Sequence, residues 1–205
     1  MAAILTELAR EIARFVATLA TTSEQAGSEP AIAVIGGLAV SVRTEPRFTR
    51  NVDLAVATVN DTEAEALTFA LQRRGYRTTM VLDHQNGRLS TVRLVPPGGT
   101  EDGVLVDLLF ASSGIETEIV RAADRVELLP GVVLPVACVG HLMALKLLSV
   151  EARRPKDAQD LASLLAVADA AQIALCREAV GLITERGHHR DRDLVAALDA
   201  LLGGA

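Results

Sequence analysis

Two carboxylates stand alone inside apolar runs, Asp53 in VDLAV and Asp107 in VLVDLLF. A buried strand is a costly place for an acid without a compensating partner, so each marks either an ion pair or a ligand site. Asn51 precedes Asp53 by two positions. Side chains alternate across a strand, so the two point to one face and can reach one ligand. Upstream, AIAVI ends at Gly36 and Gly37, and GLAVSVR reads as a helix opening at that turn. Glycines there let backbone N–H groups approach phosphate oxygens, and a helix N-terminus favours negative charge. By itself the Gly-Gly pair reads first as a tight turn needing positive φ. Joined by the two acids it describes a place for Mg²⁺, a hard cation that takes oxygen ligands and completes its shell with water and phosphates.

Basic residues flank this stretch. Arg43, Arg47 and Arg50 lie beside it, where guanidinium groups would pair with phosphate oxygens or simply line a solvated loop. Further on, Lys146 interrupts the apolar helix HLMALKLLSV, and EARRPKDAQD follows with Arg153, Arg154, Lys156, Asp157 and Asp160. Asp157 and Asp160 share one helix face, from which Asp160 can hold Lys146 or an arginine. The competing reading is a helix start, with Pro155 and Asp157 in the first turn and the arginines solvated.

These residues need elements to carry them. The apolar spacing of Leu5, Leu8, Ile12, Phe15, Val16 and Leu19 predicts an amphipathic first helix. Strands are expected at 31–35 and 52–56, then a helix capped by Asp61 and closed at Gly75. Strands at 76–82, 89–95 and 104–110 are separated by the turn signals HQNG and PPGGTED. A short helix near 115–122 and a hairpin through ELLPGVVL follow, and Pro135 is read as introducing a remainder of four helices. Their order predicts an α/β (α+β) fold, with a mixed sheet and flanking helices over residues 1–134 and a helical lobe over 135–205. His188 and His189 precede the last helix, with Asp191 or Asp193 as its cap, and Asp83-His84 reads as ordinary turn chemistry.

Composition narrows the function. Half of the 205 residues are apolar but only 2% are aromatic, so aliphatic side chains must fill the core, as suits helices on a sheet. A net charge of −6 speaks against broad, non-specific nucleic-acid binding. Cys138 and Cys176 sit in apolar helical contexts and read as core thiols, without disulfide partners or zinc spacing. No apolar run reaches the ~18 residues of a membrane span, so a cytoplasmic protein is expected.

The succession of Gly-Gly, an acid-bearing strand about a dozen residues on and a later strand acid resembles the nucleotidyltransferase superfamily. Within it, the GGLAV turn, the Arg47-Phe48-Thr49 lead into the strand, Lys146 and the Arg153-to-Asp160 element resemble the AbiEii/AbiGii-type toxins, over about residues 35 to 165. That resemblance implies a nucleotidyltransferase-like fold and Mg²⁺-dependent transfer of a nucleotidyl group from a nucleoside triphosphate to an RNA or protein hydroxyl. It implies a nucleotide site at Gly36, Gly37, Arg47, Thr49 and Lys146, a metal site at Asn51, Asp53 and Asp107, and catalytic roles for Asp53, Asp107, Lys146 and Asp160. It also implies a cognate antitoxin as partner and a place for His188 and His189 near the cleft. Position 51 departs from the pattern, which has an acid there. An amide contributes no charge, so metal occupancy should weaken. The alternative is a non-catalytic relative that binds a nucleotide or a partner protein.

Overall fold

The structure is a computed structural model that describes residues 11, 13–15, 17–18, 31–47, 49–84, 87–149 and 155–204. Near the N-terminus the described residues 11–18 are helical and Phe15 is fully buried. Leu5, Leu8, Ile12, Val16 and Leu19 lie outside the described residues, as do Arg153 and Arg154.

Seven strands follow: β1 (Ala31–Ile35), β2 (Asn51–Ala57), β3 (Arg77–Asp83), β4 (Leu89–Val95), β5 (Leu105–Leu109), β6 (Asp124–Leu129) and β7 (Val132–Val136). The helices among them are α1 (Gly36–Arg43), α2 (Asp61–Arg73) and α3 (Glu116–Ala122). After them come α4 (Val139–Ser149), α5 (Pro155–Val167), α6 (Ala170–Glu185) and α7 (Leu194–Gly203). The strands form one mixed sheet in the order β3-β4-β5-β2-β1-β7-β6. The pairs β2–β5 and β1–β7 are parallel, the other four antiparallel. The fold is α/β with a mixed sheet and flanking helices, as expected from the sequence.

Central strands are apolar on both faces. Val52, Leu54, Ala55 and Val56 of β2 are fully buried, as are Val106 and Leu108 of β5. Sheet and helices share one core, in which Leu142, Met143, Leu164 and Val180 of the later helices join the strand residues. Among the described residues no helix is long and apolar enough to cross a membrane.

Two local expectations are corrected. The cap of α2 is Asn60, whose side chain accepts from the Glu63 N–H at 3.0 Å, while the Glu63 carboxylate reaches back to the Val59 N–H. The reciprocal pair satisfies two backbone donors at once, which Asp61, already in the first turn, cannot do. Pro135 begins no helix. It lies in β7 opposite Arg125 of β6, and α4 starts only at Val139. The cap of α7 is Asp193, accepting from the Ala196 N–H. Cys138 and Cys176 are free and buried, and burial pushes the Cys176 thiol up to about 12.

Candidate active site

The β1-to-α1 turn brings the glycines onto the acid. Gly36 has φ +64, in the left-handed region where only glycine is comfortable. A Cβ built there would overlap the Asp53 carboxylate, lying 2.6 Å from its Cγ. The Gly37 N–H donates to the same carboxylate, and a Cβ at Gly37 would crowd Arg47 Nη2 and Thr49 Oγ1, each at 2.9 Å. The glycines thus give the backbone close approach to Asp53, Arg47 and Thr49. Ser41 secures the turn, donating to the Gly37 carbonyl at 2.9 Å.

Sheet register sets the two acids side by side. Asp53 lies opposite Ile35 of β1 on one side and Asp107 of β5 on the other, and Arg93 of β4 lies opposite Asp107. The glycine turn, Asp53, Asp107 and Arg93 therefore form a row across four neighbouring strands. Arg93 grips Asp107 at two points, Nε to Oδ1 and Nη2 to Oδ2, both 2.7 Å. Asn51 turns its amide nitrogen to Asp107 Oδ2 at 3.5 Å. Asp53 makes no ion pair among the described residues.

Helices close the other side. Lys146 of α4 is 13% exposed and pairs with Asp157 Oδ1 at 2.6 Å and Asp160 Oδ2 at 2.7 Å. Arg47 reaches the same Asp160 oxygen at 2.5 Å. Asp160, only 2% exposed, is thus shared by two cations. Beside it a cavity of about 610 Å³ opens, lined among others by Arg43, Arg47, Gln159, Asp160 and Ser163. The other two arginines serve structure. Arg43 donates to the Ala137 and Val136 carbonyls and pairs with Asp124, tying α1 to the β6–β7 hairpin. Arg50 donates to the Asp102 carbonyl. Thr49 Oγ1 donates to the Asn51 carbonyl at 3.4 Å.

Burial raises the Asp53 carboxyl from 3.8 to about 7, and the neighbouring Asp107 adds to the rise against Lys146, the Gly37 N–H and Arg93. A divalent ion would relieve that frustration, and Asp53 with the Asn51 amide oxygen offers oxygen donors suited to Mg²⁺. Among the described residues no three His, Cys, Asp or Glu side chains are grouped to hold a metal unaided, so phosphates and water would have to complete the shell. A pH effect follows. Because its folded-state value is raised, Asp53 holds a proton that the unfolded chain has released, so stability falls as pH rises from 3.8 through about 7. Asp53→Asn should therefore gain on the native chain by a few kcal/mol between pH 4 and pH 8 in urea unfolding. Saturating Mn²⁺ should narrow the gap at pH 8.

His188 and His189 lie with a second polar cluster. His188 stacks on His84, ring centroids 4.1 Å apart, and packs against Gly114 beyond the C-terminal end of β5. Reading the sequence missed both this contact and Arg93. The latter had a signal: Arg93 lies two residues before the end of β4 and Asp107 two after the start of β5, equally far from the connecting turn.

Comparison with known proteins sets this geometry in a context. The family model described as nucleotidyl transferase AbiEii toxin, Type IV TA system, matches residues 18–202. No curated protein sequence matches significantly. Among solved structures, the antibiotic-resistance factor ANT(2'')-Ia is 11% identical, with a TM-score of 0.51, covering 98% of this chain and 100% of its own. An antigenic nucleotidyltransferase-like protein from Paracoccidioides brasiliensis is 19% identical, with a TM-score of 0.48 and 91% of each chain covered.

Proposed function

The chain belongs to the nucleotidyl transferase AbiEii toxin family, and we propose that it transfers a nucleotidyl group from a nucleoside triphosphate to a hydroxyl on RNA or protein. The observation that carries this reading is the placing of Asp53 and Asp107 on adjacent strands beside the Gly36 turn, with Lys146 and Arg47 facing them. Mg²⁺ bound with the nucleotide would polarise the α-phosphate and offset charge on the leaving pyrophosphate.

The chain's own groups supply position and field. The glycine turn offers backbone N–H groups to the triphosphate, and Thr49 stands beside it. Arg47 and Lys146 lie on the same side, each released towards phosphate as Asp160 and Asp157 share them with the incoming charge. Asp53 and the Asn51 amide oxygen would hold the cation. The acceptor oxygen bonds to the α-phosphorus, the bond from that phosphorus to the bridging oxygen of pyrophosphate breaks, and the hydroxyl proton leaves to water. Holding these groups in line accounts for most of the acceleration. A toxin role would bring an antitoxin as partner.

Asn51 favours a second reading, a chain that binds nucleotide without transferring it. Incubation with each α-labelled nucleoside triphosphate and Mg²⁺, with total RNA and protein as acceptors, tests the two. Label that appears with one nucleotide and disappears in Asp53→Ala establishes transfer. Tight nucleotide binding with no label, recovered by Asn51→Asp, establishes the binding reading instead.

A further inference from the structure

We infer that Arg93 takes the place of a second metal ion in this centre, so that the site works with one divalent cation at Asp53 and a fixed guanidinium on the acceptor side. The inference rests on the transfer reading and adds a residue to it. Two-metal centres place their ions ~3.5–4 Å apart and bridge them with shared carboxylates. Here the carboxylate beside Asp53 is Asp107, and both of its oxygens are taken by Arg93 at 2.7 Å. Position 51, which would supply the next charge, is an amide whose nitrogen faces Asp107. One unneutralised carboxylate remains, and one carboxylate with an amide oxygen suffices for a single Mg²⁺ that also holds phosphate.

Arg93 is equipped for the vacated role. Its fork leaves Nη1 without a protein partner among the described residues, and its side chain is 32% exposed, so a donor remains open to a ligand. A guanidinium does not lose its proton in a protein, so the charge is permanent. Its place in the row matters equally. The phosphate-facing glycines stand on the β1 side of Asp53, and Arg93 stands on the β4 side. In an in-line displacement the leaving group and the acceptor occupy opposite sides of the α-phosphorus. Arg93 therefore meets the incoming oxygen, where a positive charge stabilises the anion that develops as the hydroxyl loses its proton. Asp107 acts here as a positioning residue, holding the guanidinium plane at two points.

Manganese stoichiometry separates this arrangement from a two-metal one. With a non-hydrolysable α,β-methylene triphosphate bound, Mn²⁺ titration followed by electron paramagnetic resonance should count one ion per native chain. The double variant Asn51→Asp, Arg93→Met should count two. Arg93→Met alone should lower the rate of transfer at saturating nucleotide roughly 100-fold, with nucleotide affinity nearly unchanged. Arg93→Lys keeps the charge and loses the fork, so it should fall between the two, and it serves if the methionine variant does not fold. Two strongly bound Mn²⁺ ions in the native chain, or full transfer by Arg93→Lys and Arg93→Met, would overturn the inference while leaving nucleotidyl transfer intact. Absence of both Mn²⁺ binding and transfer would overturn the two together.

Discussion

Replacing Gly36 with alanine is expected to lower transfer roughly 100-fold or more and to unfold the chain several degrees earlier. Two costs coincide at this residue. The left-handed backbone, φ +64, costs an alanine about 1–2 kcal/mol. The added carbon would also occupy space held by the Asp53 carboxylate, 2.6 Å from its Cγ. One of them must move, and Asp53 is fixed at its Cα by ladders to both β1 and β5. A displacement near 1 Å at a reacting centre can remove roughly 100-fold in rate. Thermal unfolding, Mn²⁺ titration and label transfer on Gly36→Ala measure the three parts separately. Gly37→Ala serves as the graded comparison, because its backbone is not left-handed and its Cβ meets Arg47 Nη2 and Thr49 Oγ1 at 2.9 Å, a milder overlap that should cost less. Wild-type Mn²⁺ affinity in Gly36→Ala would show that Asp53 does not hold the cation.

Asp160→Ala should produce the second large effect, a loss of about 3 kcal/mol in stability, because two partly buried cations lose the anion they share. Lys146 keeps Asp157, and Arg47 loses its 2.5 Å contact with the shared anion. Tripolyphosphate should then raise the melting temperature of Asp160→Ala by more than that of the native chain, because it supplies the missing negative charge. Equal shifts in both proteins would show that Lys146 and Arg47 do not face the phosphate site. Asp157→Ala, which leaves Asp160 in place, should be destabilised less.

Much of this arrangement is legible in the sequence because it depends on short-range rules. A strand running into Gly36-Gly37 announces a turn that only glycine can make, and an acid among valines and leucines announces a partner. The strands carrying Asp53 and Asp107 follow from their apolar runs, and the shared face of Asp157 and Asp160 from helical spacing. Arg93 was legible only as part of a strand, since its meaning depends on which strand lies opposite. Pairing across a long turn is fixed by register, which a single strand's pattern does not contain. The same holds for Arg43, which adjoins the site in sequence yet turns to the Ala137 carbonyl, 94 residues away. His84 and His188 meet for the same reason. Asn60 and Asp61 are both good caps, and the choice between them is made by Glu63 reaching back, a one-residue difference in where the helix starts.

The acids sit on hydrogen-bonded neighbours, so their separation is inherited from the spacing of strands in the sheet, about 4.8 Å, and not from the conformation of any loop. A ruler of that kind has no partial states. Fraying of a helix end or breathing of the cleft leaves the pair in register, and only rupture of the central ladder separates it. The relative placing of the two acids is accordingly lost all at once along the unfolding coordinate, whereas the contacts of Lys146 and Arg47 with Asp160, which depend on α4 and α5, can weaken by degrees.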